Sequence, residues 1–238
     1  MTLSLASQWK LVAAGLMAHA DEVIVGEECE RLMVLVEEEV DGDEYGEWLS
    51  IVSDPDKLRT TLASLAPLPA ADHRAVLEEA WMMAVIDGVR HPQEIAMLET
   101  LGETLGVESV QLEFWREAWA QAQNDRAETT VRTLATLLAS HDPAARTSVM
   151  DTVLFELPTT TEHRDALAVI AKLPQTRADV VQRTMALSKT LRYDVVARVA
   201  NAIAGVDNAE QAQTELRSIA TEAGLSEEAF DKAVGVRA

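Results

Sequence analysis

Asp21 and Glu28 stand seven positions apart, and Asp87 and Glu94 repeat that spacing 66 residues later. Each pair begins where an apolar run ends, Gly15-Leu16-Met17-Ala18-His19-Ala20 in one case and Trp81-Met82-Met83-Ala84-Val85-Ile86 in the other. Carboxylates are hard oxygen donors. Four of them brought together suit Ca²⁺, Mg²⁺ or Mn²⁺ rather than zinc. Asp21 and Asp87 each close a predicted helix, where the dipole disfavours an anion by about 0.3–1 kcal/mol. A bound cation would offset that cost. Glu28 and Glu94 fall in the first turn of the helix that follows. There the dipole favours glutamate, and a glutamate at the third helical position can reach back to the N–H of the cap. The glutamates therefore have two readings, ligand or cap. If the two repeats face each other about a pseudo-twofold axis, the four carboxylates converge.

Other chemistry is sparse. The acidic stretch Glu37-Glu38-Glu39-Val40-Asp41-Gly42-Asp43-Glu44 has the alternation of a calcium loop, but a loop counted from Glu37 ends on Trp48, not glutamate. Counted from Asp41 it ends on Val52. It is a solvated turn, with weak cation binding by Glu39, Asp41, Asp43 and Glu44 as its alternative. His19 and His91 lie near the repeated turns and read as surface histidines or added ligands. Cys29 lies in a first helical turn, where thiolates are favoured, but Glu28 and Glu30 beside it oppose ionisation. It reads as packed or inert. No His-Glu-x-x-His pair, phosphate-cradling glycine loop, dinucleotide fingerprint or nucleophile elbow occurs. No nucleophile, base and oxyanion set can be assembled, so the chain is expected not to be an enzyme.

The elements that must position these residues are helices. Leu5, Trp9, Val12, Leu16, Met17 and Ala20 recur at steps of three and four. Further helices are predicted at about 27–39, 56–65, 73–86, 92–105 and 108–124. Trp81, Trp115 and Trp119, with Met82, Met83 and Met97, read as core at helical spacing. Asp54-Pro55 and Asp142-Pro143 are cap-plus-proline starts, and Gly106 is a stop. Beyond Ala127, helices are predicted at about 129–139, 143–157, 162–172, 178–190, 193–204, 209–223 and 227–234. The texture changes near 124–128, where tryptophan ends and threonine and arginine rise. That divides the chain into 1–125 and 126–238. Val206-Asp207-Asn208 faintly echoes the repeated turn, but Thr214 stands where its glutamate would be.

Composition agrees. Glycine numbers 10 and aromatics are 4% of 238 residues, which favours helix over sheet, while 48% apolar residues suffice for a core. Forty acidic against 20 basic residues leave a net charge of −20, which repels phosphate backbones and argues against nucleic-acid binding. One cysteine excludes a disulfide framework. No signal-peptide pattern or membrane-length apolar run is present, so a cytoplasmic protein without direct membrane insertion is expected.

The paired turns, Ala20-Asp21-Glu22 with Glu28 and Ile86-Asp87-Gly88 with Glu94, resemble the TerB-like family of helical tellurite-resistance proteins. Leu101-Gly102-Glu103-Thr104-Leu105-Gly106 resembles a helix end of that family. The resemblance covers about residues 5–122. Glu22 stands in place of the family's glycine and Ile86 in place of its alanine. Val25 and His91 stand in place of a capping serine. The resemblance implies an all-α fold, a duplicated helix–turn–helix bundle, here with an additional C-terminal helical region. It also implies a non-enzymatic acidic module linked to metal and oxyanion stress. Its site would be Asp21, Glu28, Asp87 and Glu94 around a divalent cation, and its partners would be proteins, membrane proteins among them. The alternative is a metal-free scaffold that offers its acidic surface to a basic protein.

Overall fold

A computed structural model describes residues 3–21, 24, 26–40, 42–86 and 91–235, with backbone only at Glu27. The described residues form thirteen α-helices and one 3-10 turn, and no strand occurs among them. None of the described helices is long and apolar enough to cross a membrane. The chain divides into two compact units, Met1–Ala120 and Gln121–Ala238.

Unit 1 is built on α1 (Leu5–Ala18), capped by the Ser4 hydroxyl, which accepts from Ser7 N–H. Its run of small and apolar residues from Leu11 to Ala18 is buried on every side, so α1 is a central helix. Around it lie α2 (Gly26–Glu39), α3 (Tyr45–Val52), α4 (Pro55–Ser64), α5 (Ala70–Ala84) and α6 (Pro92–Thr104). Gly15 lets α4 come close, with Leu58 packed where a side chain on residue 15 would stand. Asp54 caps α4 by accepting from the N–H groups of Asp56 and Lys57, with Pro55 in the first turn. Gly106, at φ +71°, ends α6, and Val107 N–H closes the turn on Gly102 O at 2.9 Å. Trp81, Met83 and Trp119 are core residues, as their spacing predicts.

Three features differ from the sequence reading. Helix α3 lies between the acidic stretch and Asp54, where no helix is predicted. Tyr45, Trp48, Leu49 and Val52 form a helical stripe, and Trp48 and Val52 are buried. The dense carboxylates just before it conceal that pattern. Secondly, α7 (Ser109–Leu137) runs unbroken through 124–128. The stretch holds no Gly or Pro, and the threonines do not interrupt the helix. Thr129, Thr130, Thr133 and Thr136 each donate to the carbonyl four residues earlier, at 2.7–2.9 Å. That bond is what lets Thr129, Thr130 and Thr133 be buried in a helix. Finally, Cys29 is exposed rather than packed.

Unit 2 continues from α7 through α8 (Pro143–Glu156), α9 (Thr161–Ile170), α10 (Arg177–Ala186), α11 (Lys189–Ile203), α12 (Ala209–Glu222) and α13 (Glu227–Ala233). Its core is mainly aliphatic, with Val131, Leu134, Leu138, Leu167, Val180, Val199, Ile203 and Leu216 fully enclosed. Helix α11 packs on α8, α12 and α13. Arg177 ties α10 to α12 by bonding Glu215 at 2.6 Å and both oxygens of Glu222 at 2.6 and 2.7 Å.

Glu39, Asp54 and Glu222 are held below the ordinary carboxylate range. At Glu39 burial pushes the value up, and hydrogen bonds from Lys10 and Ser7 reverse it. The N–H groups of Lys57 and Asp56 lower Asp54, and the Arg177 hydrogen bond lowers Glu222. A carboxylate lowered on folding adds stability above its unfolded pKa, and that stability is lost as pH falls through the folded value. Removing the partners in Lys10→Met/Arg177→Met is therefore expected to lower the melting temperature at neutral pH. As pH falls through the lowered folded values of Glu39 and Glu222, the gap between the two proteins should close, since both are then protonated at these sites. A gap that persists unchanged into acid would show that these ion pairs do not carry it.

Candidate functional site

The two repeated turns follow α1 and α5, and four contacts decide where they lie in unit 1. At one level of α1, Trp9 Nε1 donates to Ala66 O at 3.0 Å and Lys10 bonds Glu39 at 2.6 Å. At the other end, His19 Nε2 lies 3.1 Å from Val52 O. So α4, which leaves Val52 and arrives near Ala66, runs antiparallel to α1. Helix α2, which arrives at Glu39, is antiparallel to α1 as well. Helix α5 starts beside Trp9 and packs on α1 more extensively than any other pair of helices in the protein. It must therefore run alongside α1 in the same direction.

The fourth contact agrees. Arg31 of α2 donates to Glu79 of α5 at 2.6 Å. Arg31 lies five residues after the start of α2 and Glu79 five before the end of α5, each about 7.5 Å along its axis at 1.5 Å per residue. The start of α2 and the end of α5 are thus at the same depth. Helices α1 and α5, which precede the two turns, thus end on the same side of unit 1. Burial works against the charge on Arg31, but Glu79 and then Glu38 outweigh it and hold the guanidinium above its ordinary value. No local pattern in the sequence announces this pair, since its members are 48 residues apart.

Glu28 and Glu94 occupy equivalent places. Each is the third residue of its helix, and each is 5% exposed. At Glu94 the capping role is explicit. Its Oε2 accepts from His91 N–H at 2.6 Å, while His91 Nδ1 accepts from Gln93 N–H at 3.4 Å. His91 thus does the work of the capping serine, with proline following it at the first helical position. Asp21 is half-buried, just past the end of α1. Asp87 lies outside the described residues, as do Glu22, Val25 and Gly88.

Glu94→Ala is expected to cost about 1–2 kcal/mol, because it removes the acceptor of a part-buried N–H at a helix start. Glu94→Gln keeps an oxygen there and should cost less than half as much. Urea titration of both variants measures the difference. Equal losses would remove the cap from the account of Glu94.

Most of the remaining candidates have partners within their own unit. His19 ends α1 and reaches the end of α3. Glu39, the last residue of α2 rather than part of a turn, is engaged by Lys10. Asp43 is exposed, and Asp41 lies outside the described residues. His73 Nε2 reaches Leu68 O and His141 Nε2 reaches Asp207 O, at 2.9 and 2.8 Å. Among the described residues, no three His, Cys, Asp or Glu side chains are placed to hold one metal ion. Compared with known proteins, the chain matches no family model, and neither the curated proteins nor the solved structures give a match.

Proposed function

We propose that this protein is a non-enzymatic, acidic helical binding module of the TerB-like type. In it Asp21, Glu28, Asp87 and Glu94 hold a divalent cation, Ca²⁺, Mg²⁺ or Mn²⁺, and the module serves in a metal or tellurite stress response in the cytoplasm. The observation that carries this reading is that α1 and α5, the helices before the two Asp-x6-Glu turns, end on the same side of unit 1, and that each turn is followed by a buried glutamate at the same helical position. The donors are all oxygen, which selects hard cations. A cation would also offset the dipole cost of an aspartate at each helix end.

Calcium, magnesium and manganese titration followed by thermal unfolding is the test. Binding to the folded state alone stabilises by about 2.7 kcal/mol at a hundredfold excess over Kd. A melting temperature that rises with ion in the wild type, and stays flat in Asp21→Asn/Asp87→Asn, is the expected result. A flat response in the wild type up to millimolar ion removes the cation from the proposal.

The second reading is a metal-free scaffold that presents its acidic surface to a basic protein partner, including the basic cytoplasmic segment of a membrane protein. Glu94 favours it, because one oxygen of that carboxylate already has a structural task at the α6 cap. Partner binding of this kind weakens with salt and survives the double aspartate substitution, which separates the two readings.

A further inference from the structure

Helices α8 and α9 form a hairpin closed by residues 157–160, and its open end carries two cations. Arg146 lies ten residues before the last residue of α8, and Lys172 eleven after the first residue of α9. Lys172 lies two residues past the end of α9, and both side chains line one cleft. Both are exposed, and neither has an ion-pair partner among the described residues. Between the helices and the end of α7 lies a cleft of about 470 Å³, which Arg146 and Lys172 help to line. That size is in the range of small-molecule sites.

The cleft has a direction. Arg146, Met150 and Leu154 follow one another at four-residue steps on one stripe of α8. Met150 and Leu154 are buried and form an apolar floor that leads from the charged end toward the closed end of the hairpin. Leu173, half exposed, and Ala139 continue the apolar wall. Asp151 is the one acid in the lining, against two cations. A charged head between Arg146 and Lys172, with an apolar tail along Met150 and Leu154, matches this order of groups. We propose that unit 2 binds a single-chain amphiphile with one carboxylate head, of the medium-chain fatty-acid class, in this cleft. The proposal is independent of the acidic turns in unit 1.

Calorimetry of the full-length protein with dodecanoate, below its micelle concentration, tests it, with decanol as the uncharged probe. Dodecanoate should bind one per chain. Arg146→Ala/Lys172→Ala should bind it about tenfold more weakly, the sum of two exposed charge pairs near the upper end of their usual range. The same variant should bind decanol unchanged. Ala139→Trp, at an exposed position, should fill the cleft and remove both ligands while the circular dichroism spectrum is retained. No dodecanoate binding to the wild type overturns the proposal. So does equal dodecanoate affinity in the charge variant, or undiminished binding in Ala139→Trp.

Discussion

Leu58→Ala is expected to destabilise the protein by about 3–4 kcal/mol, the range for deleting a fully buried leucine where the surroundings collapse only partly. Leu58 is 0% exposed, and its Cδ2 and Cδ1 would lie 2.8 and 3.0 Å from a Cβ built on Gly15. The two positions are therefore one packing unit. In the wild type, Gly15→Ala sets a helix-propensity gain of about 1 kcal/mol against a clash with Leu58, and the clash should prevail. In Leu58→Ala the clash is gone, so the same substitution should stabilise by roughly the propensity term and fill part of the cavity. Urea unfolding of the four proteins should give a coupling of at least about 1 kcal/mol. Additive losses would mean that α4 does not depend on the missing side chain at residue 15. The consequence extends to the candidate site, because α4 is the connection that returns the chain from Val52 to Ala66 and lets α5 run beside α1.

Phe230→Ala should have a comparable effect in unit 2, about 3–5 kcal/mol for removing a buried aromatic ring. Phe230 is the anchor of the short helix α13, and the Arg217 guanidinium lies 4.5 Å from its ring centroid. Arg217 also bonds Asp231 at 2.6 Å. Phe230→Leu keeps most of the apolar volume but has no ring face for the cation. It should cost about 1–2 kcal/mol, of which the cation–π contact supplies roughly 0.5–1 kcal/mol. In an Arg217→Ala background the loss from Phe230→Leu should shrink by that amount. If the loss is the same in both backgrounds, the ring is held by packing alone and Arg217 is only an ion-pair residue.

Most of the helices were legible because their signals are local. Leu5, Trp9, Val12 and Leu16 announce α1 through period alone. Asp54-Pro55, Asp142-Pro143 and Ser226 announce helix starts through the side chain that satisfies the first free N–H groups, and all three act as caps in the structure. The cap at Glu94 was legible for the same reason, because its partner is three residues away. What escaped were elements whose local signal is overlaid by another. Helix α3 is masked by the acids before it, and the continuity of α7 by threonines whose hydroxyls are satisfied inside the helix.

By itself, then, the sequence determined that the chain is helical, that an Asp-x6-Glu turn occurs twice, and that the glutamate of each turn begins a helix. These follow from backbone hydrogen bonds and side chains within one or two turns of each other. Only the tertiary structure decided that α1 and α5, the helices before the two turns, end on the same side of unit 1. That result needs Trp9 with Ala66, His19 with Val52 and Arg31 with Glu79, contacts 57, 33 and 48 residues apart. The same holds for the cationic cleft, where Arg146 and Lys172 are brought to one end of a hairpin. Periodicity sets which face of a helix is buried. The direction in which two helices pass each other is set by packing between distant side chains, and no local spacing records it.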